Sequence, residues 1–390
     1  MVNLLPAVLV GGPPHAGKSV LFYRLTQALR ERGIAHFAIR ACPDGEGDWF
    51  HEGPPDVVST IRLKHGVWPA PFVERIAADI EHRCLPFLVD MGGRPEASQA
   101  PLLRLCTHTI LLLREDLPEE AERWQRLVES YDLLPLARLS SRQSGEATIS
   151  AHTPVLEGTL TGLERHIPPP AKPDPVFEAL VDRLAALFRS YNLHEQSYLE
   201  HAPTEYVLNV EEALHAFTTT SRRWEPAMLA PLLASLPPHT PLSVYGRGPL
   251  WLYAALAAHA DPQPFYLFDP KLPFGWVQPV PVIFGEKPSD EIQITILPGP
   301  QATMLTITIA HDRLAYFQAE PPAFPPLSLE KGLILSGRLP YWLLTALVRL
   351  YQSAGIRWIA PYYVQENQAI VSSSRVATYR PGDPVPHPLS

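Results

Sequence analysis

The chain has 390 residues, 46% of them hydrophobic, with a formal net charge of −8 and a sequence pI near 6.0. That length suits two or three domains with real cores. The acidic balance supplies no global positive field to attract long nucleic acid, so an anionic ligand has to be caught locally. No run approaches the roughly 18 apolar residues of a membrane span, and the first residues lack a basic n-region. Cys42, Cys84 and Cys106 show no CxxC or metal-finger spacing, which fits reduced thiols. These features predict a cytoplasmic protein without a membrane partner.

In chain order, Leu4 to Val10 reads as a strand. Lys18 to Arg32 reads as a helix whose Val20, Leu21, Leu25, Ala28 and Leu29 share a face, ended by Gly33. Strands are predicted at Ala35 to Ile39, Phe87 to Asp90 and Thr109 to Leu113, and helices at Pro71 to Arg83 and Glu119 to Ser130. This alternation predicts an α/β fold with a mostly parallel sheet. The first domain is drawn at 1–166. A proline-rich linker and amphipathic helix follow at 167–202, with Phe177, Leu180, Val181, Leu184 and Leu187 on one face.

Between the first strand and helix, Gly12-Pro-Pro-His-Ala-Gly17-Lys18-Ser19 satisfies G-x-x-x-x-G-K-[ST]. Backbone N–H groups at a helix start receive phosphates. Gly12, Pro13, His15, Ala16 and Gly17 are the expected ATP-cradling residues, although His15 itself reads as a solvent-facing loop residue. Lys18 would reach the β/γ-phosphates. Ser19 and Asp90 are the candidate Mg²⁺ ligands. Asp44-Gly-Glu-Gly-Asp48 reads equally as a loop that positions water or metal and as a solvated turn. Arg40 and Arg94 are candidate phosphate contacts or surface ion-pair partners.

The remainder contains a repeat. Gly246-Arg-Gly-Pro-Leu-Trp-Leu252 matches Gly337-Arg-Leu-Pro-Tyr-Trp-Leu343 at five of seven positions, with an offset of 91 residues. A strand is predicted before each Gly-Arg (Leu242 to Tyr245, Leu333 to Ser336). A helix with proline at its first turn and another strand (Phe265 to Phe268, Trp358 to Ala360) follow. Two tandem β-α-β-containing modules are therefore expected, at 203–285 and 286–390. Arg247 and Arg338 each adjoin a helix start, as an anion site requires; a structural ion pair is the plain alternative for both. His259, Asp269 and Lys271 occur only in the first copy, where the second has Leu350, Ala360 and Tyr362. Parallel strands would put Asp269 and Arg247 at one sheet edge and His259 about 15 Å away at the other. Joining them on one phosphate then needs a composite site across modules or subunits. His311-Asp312 reads as a turn between Leu305–Ile309 and Leu314–Phe317 in a hairpin.

Gly246-Arg-Gly-Pro-Leu-Trp-Leu-Tyr253, His259 and Phe268-Asp-Pro-Lys271 together resemble the CRISPR-associated Csx-three family, ring nucleases that cut the second messenger cyclic tetra-adenylate. The N-terminal half resembles the ATPase domain fused to some members, through Gly11–Ser19, Pro43–Gly47 and Gly158–Arg165. The resemblance implies His259 and Asp269 as catalytic residues. It implies Arg247 and Lys271 as phosphate-binding ones, although Lys271 stands where the family more often has arginine; Gly248 and Arg338, at the repeated turns, join them as candidate ring-binding residues. It also implies Mn²⁺ as a candidate ion for cleavage and a homo-oligomer that holds the ring between protomers. Two other functions fit the same residues: a small-molecule or nucleotide kinase, and a non-cutting cyclic oligoadenylate sensor that switches an ATPase.

Overall fold

The structure is a computed structural model. It describes residues 5–42, 70–92, 97–164, 174–218, 223–286, 290–310, 314–316, 320–363 and 367–385. The chain divides into two compact units: Met1–Ser197 with Pro270–Pro273, and Tyr198–Asp269 with Phe274–Ser390.

The first unit contains β1 (Ala7–Gly11), α1 (Lys18–Glu31), β2 (Phe37–Arg40), α2 (Ala70–Glu81), β3 (Phe87–Asp90), α3 (Ala100–Leu105) and β4 (His108–Leu113). It continues through α4 (Pro118–Ser130), β5 (Leu134–Arg142), β6 (Thr148–Ala151), β7 (Leu156–Thr161) and α5 (Pro175–Arg189). Its seven strands are ordered β2-β3-β1-β4-β5-β7-β6, and only β6 runs antiparallel to its neighbour. Alternation along β1 supplies both faces: Val8 and Val10 join one core cluster, Ala7 and Leu9 the other. A parallel sheet buried on both faces needs this continuous apolar sequence.

Helix α5 completes the first of those clusters. Leu180, Val181 and Leu184 are fully buried beside Leu21, Leu25 and Leu160. Asp174 caps its start, accepting hydrogen bonds from Val176 N (2.9 Å) and Phe177 N (3.1 Å). Arg32, at the end of α1, donates to Glu178 at 2.6 Å and also to Asp182. The amphipathic helix expected within the 167–202 linker segment is thus a core helix of the first unit; its wide apolar face needs a sheet to cover it.

The second unit begins within α6 (Asn192–Glu200). It runs through β8 (Tyr206–Asn209), α7 (Val210–Phe217), α8 (Leu229–Ser235), β9 (Leu242–Tyr245), α9 (Leu250–Ala260), β10 (Phe265–Phe268) and β11 (Trp276–Val277). Next come β12 (Ile283–Phe284), β13 (Ile292–Pro298), β14 (Ala302–Ile309), β15 (Ala323–Phe324), β16 (Gly332–Ser336) and α10 (Tyr341–Ala354). β17 (Trp358–Tyr363), β18 (Gln368–Ile370), β19 (Ser373–Ser374) and β20 (Pro384–Val385) close it. β8, β9 and β10 are parallel, as are β14, β16 and β17. The sequence repeat is therefore a structural one, β9-α9-β10 and β16-α10-β17. The fold is α/β.

The expected hairpin from Leu305 to Phe317 is replaced by an upstream one. β14 pairs antiparallel with β13, from Ile292↔Ile309 to Pro298↔Thr303. The Ile-Gln-Ile-Thr-Ile run of β13 alternates in the same way as Leu305–Ile309, and Pro298-Gly-Pro300 lies between them. Leu314–Tyr316 form no strand, and His311 and Asp312 lie outside the described residues.

Leu180→Ala should lower stability in a urea titration by about 2–5 kcal/mol, the usual cost of emptying a closed core site. Asp174→Ala should cost about 1 kcal/mol through loss of the cap.

Candidate functional site

In the first unit, the glycine loop connects β1 to α1, as phosphate binding requires. Gly12 and Gly17 have φ of +142° and +88°, and a Cβ on Gly12 would stand 2.0 Å from the Leu112 carbonyl oxygen. Only glycine fits there. His15 is exposed with φ 61°, Pro13 and Ala16 are buried, and Ser19 is half-buried in the first turn of α1. Lys18 Nζ donates to Pro13 O at 2.7 Å, inside the loop. Burial lowers the Lys18 pKa from 10.5, opposed by attraction to Asp90 and Cys42.

β3 lies directly beside β1, with Asp90 in register with Val10. Arg40 is in register with Asp90 on the next strand, and its Nη1 donates to Asp90 Oδ2 at 3.0 Å. The guanidinium also lies 4.9 Å over the Phe22 ring, one helical turn beyond Lys18. Arg40 Nη2 is buried with no hydrogen-bond partner among the described residues. A loop of backbone donors, a buried lysine, a hydroxyl at the helix start and a carboxylate on the adjacent strand fit a nucleotide phosphate with Mg²⁺. Arg94 and Asp44–Asp48 lie outside the described residues.

In the second unit, the two repeat helices lie side by side and run in the same direction. Near their starts, Tyr341 Oη donates to Gly248 O at 2.7 Å, and the Tyr253 and Tyr341 rings stack at 4.1 Å between centroids. Near their ends, Arg349 Nε donates to Ala257 O (3.3 Å) and Gln352 Nε2 to Ala258 O (3.0 Å). This arrangement brings the exposed Arg247 and Arg338 turns to the same end of the helix pair. Gly246 sits at φ +97°, Gly248 is half-buried, and Arg247 N donates to Glu211 Oε1 at 3.0 Å.

The parallel register of β9 and β10 puts Asp269, 7% exposed, at the same sheet edge as Arg247. Its N–H donates to Gly275 O at 2.7 Å. Burial raises the Tyr253 hydroxyl well above its ordinary pKa, and charges on Tyr341, Glu211 and Asp269 add to the effect. Tyr253 Oη donates to Gly246 O, which places it among the groups at this end. His259 is at the last turn of α9, a helix about 16 Å long. Its Nε2 lies 3.2 Å from Leu236 O, and its carbonyl accepts from His239 N. His259 and Asp269 are not brought together within one chain. Lys271 falls in Pro270–Pro273, the stretch grouped with the first unit. Among the described residues, no group of three or more His, Cys, Asp or Glu is placed to hold a metal ion. None of their helices is long and apolar enough to cross a membrane.

Sequence reasoning missed Tyr253, Tyr341 and Glu211. The tyrosines carried a signal, because the 91-residue offset pairs Tyr253 with Leu344 and Leu250 with Tyr341. Glu211 carried none, since its role depends on β8 lying beside β9.

The chain thus joins an α/β unit bearing the Gly12–Ser19 glycine-lysine loop to a pair of β-α-β modules with adjacent Gly-Arg turns. Residues 307–386 match the family model of the CRISPR-associated protein (Cas_csx3). The match falls on the second copy, whereas the Gly246–Lys271 motifs that resemble the family lie in the first. No curated protein matches the chain.

Burial of Lys18 has a pH signature. Its folded pKa lies below the unfolded 10.5, so the unfolded chain binds more protons between the two values. The burial cost is then full at low pH and fades as pH rises to 10.5. Lys18→Met should raise the thermal midpoint of the nucleotide-free protein at pH 7, and the gap from wild type should close toward pH 10.5. A lower midpoint at pH 7 would mean that attraction to Asp90 outweighs burial.

Proposed function

We propose that this chain is a ring nuclease: its second unit binds and cuts cyclic tetra-adenylate, and nucleotide held by Gly12–Ser19 regulates that activity. The observation that carries the reading is the pair of Gly-Arg helix starts lying side by side. Each offers a positive helix end and an arginine, so together they suit a ligand with several phosphates. The match of residues 307–386 to a CRISPR-associated family supports the same reading.

The chemistry asks little beyond positioning. The ribose 2′-oxygen attacks its adjacent phosphorus and the P–O5′ bond breaks, leaving a 2′,3′-cyclic phosphate and a 5′-hydroxyl. In-line alignment supplies much of the rate, and Arg247 would offset charge developing on the phosphorane. His259 would take the 2′-proton or give one to the leaving oxygen. Asp269 would orient that histidine or hold a divalent ion such as Mn²⁺. Because His259 and Asp269 stand at opposite ends of one module, the working site is composite, with a second copy of the chain supplying the missing group. In the first unit, Lys18 and Arg40 would hold phosphate oxygens, while Ser19 and Asp90 would hold Mg²⁺. When bound, ATP supplies a phosphoanhydride whose hydrolysis can reset the protein.

A second reading, a sensor that binds the ring without cutting, is favoured by one observation. His259 is engaged by Leu236 O and lies away from the arginine edge. Incubation with cyclic tetra-adenylate, with and without Mn²⁺, separates the two readings. Wild type should give linear di-adenylate, and His259→Ala should be slower by about 10²–10⁴-fold. Mixing His259→Ala with Asp269→Ala protein should restore cutting if the site is composite. Lys18→Ala should abolish nucleotide turnover while leaving ring cutting at least partly intact. An intact ring with tight binding would establish the sensor instead.

A further inference from the structure

The Gly246-Arg247-Gly248 turn is held from three sides. Tyr253 Oη donates to Gly246 O, Tyr341 Oη donates to Gly248 O at 2.7 Å, and Glu211 Oε1 accepts from Arg247 N at 3.0 Å. The two phenol rings stack at 4.1 Å with an interplanar angle of 22°, so each limits the movement of the other. Tyr253 is fully buried and stays a neutral donor, since burial raises its pKa well above 10.0. Gly246 is in the left-handed region that favours glycine.

The repeat exposes an asymmetry. Tyr341 stands where the first copy has Leu250, and Tyr253 where the second has Leu344. Neither phenol is therefore a shared feature of the module. Each copy contributes one tyrosine at a different helical position, and both serve the carbonyls that flank Arg247.

We propose that Tyr341, a residue of the second copy, is a positioning residue for the first copy: with Tyr253 it fixes the Gly246-Arg247-Gly248 turn so that Arg247 meets phosphate from a set backbone position. The proposal rests on the ring reading only for the identity of that phosphate. It gives the second copy a task that needs neither a histidine nor an aspartate of its own.

The test uses the full chain. Tyr341→Phe keeps the ring stack and removes one hydrogen bond worth about 1 kcal/mol, or about fivefold in an equilibrium. Amide hydrogen exchange across Gly246–Leu250 should rise about fivefold, while exchange in Gly332–Ser336 stays unchanged. Tyr253→Phe should give the same local rise and serves if the first variant does not fold. Affinity for cyclic tetra-adenylate should fall about fivefold in Tyr341→Phe but not further when Arg247→Ala is already present, because a residue acting through Arg247 is not additive with it. Unchanged exchange at the turn would overturn the proposal. So would a rise shared with Gly332–Ser336, or an undiminished loss of affinity in the Arg247→Ala background. If wild type binds no ring, the functional reading fails and the exchange result alone decides the brace.

Discussion

The second unit depends on two helices packed in the same direction. α9 is buried almost all round, and its Ala254, Ala255, Ala257 and Ala258 let α10 approach its backbone. Side chains from α10 then reach backbone carbonyls in the last turn of α9. Arg349 and Gln352 supply donors to the Ala257 and Ala258 carbonyls, and Arg349 also pairs with Asp261 at 3.4 Å. A cation and an amide at the negative end of α9 are favourable by charge as well as by hydrogen bonding. At the other end, Tyr341 takes up the Gly248 carbonyl. Donors on α10 thus meet carbonyls near both ends of α9, and the shared direction of the helices follows from which ends meet.

Strand polarity does the rest of the placement. In a parallel β-α-β unit the loops after both strands emerge at one edge, which is where ligands meet open α/β sheets. In the first unit that edge collects the glycine loop after β1, Asp90 at the end of β3 and Arg40 at the end of β2. In the second unit it collects Arg247 after β9 and Asp269 after β10. The same rule sends His259, at the end of the intervening helix, to the opposite edge. No side-chain rearrangement spans a helix length, so a mechanism that uses both His259 and Asp269 is bound to a second molecule.

Much of this was legible because it is local. Gly12–Ser19 declares its own conformation, the apolar run Phe87–Asp90 marks a buried strand by its length, and the repeat gave both β-α-β cores from identity alone. What escaped depends on distant partners. The Pro175–Arg189 face reads as amphipathic anywhere, and only the first unit's sheet makes it core. Leu305–Ile309 alternates correctly, but its antiparallel partner lies upstream and has the same pattern, so periodicity could not choose the register. Tyr341 looks like another apolar helix residue until α9 is placed beside it. The direction of that packing has no signature in either helix.

The two copies share their Gly-Arg turns but differ in the other polar groups they carry. Two identical modules packed side by side would present two equal anion sites and two equal catalytic sets. Here both Gly-Arg turns persist, whereas the positions of His259 and Asp269 are filled in the second copy by Leu350 and Ala360. An arginine at a helix start works wherever a phosphate can reach it, so it is useful in either copy. A histidine and an aspartate on opposite edges could act on one phosphate only if a second molecule completed the set. On the proposed reading, this difference matches the geometry: binding could be shared within the chain, while chemistry that uses both His259 and Asp269 would be assembled between chains.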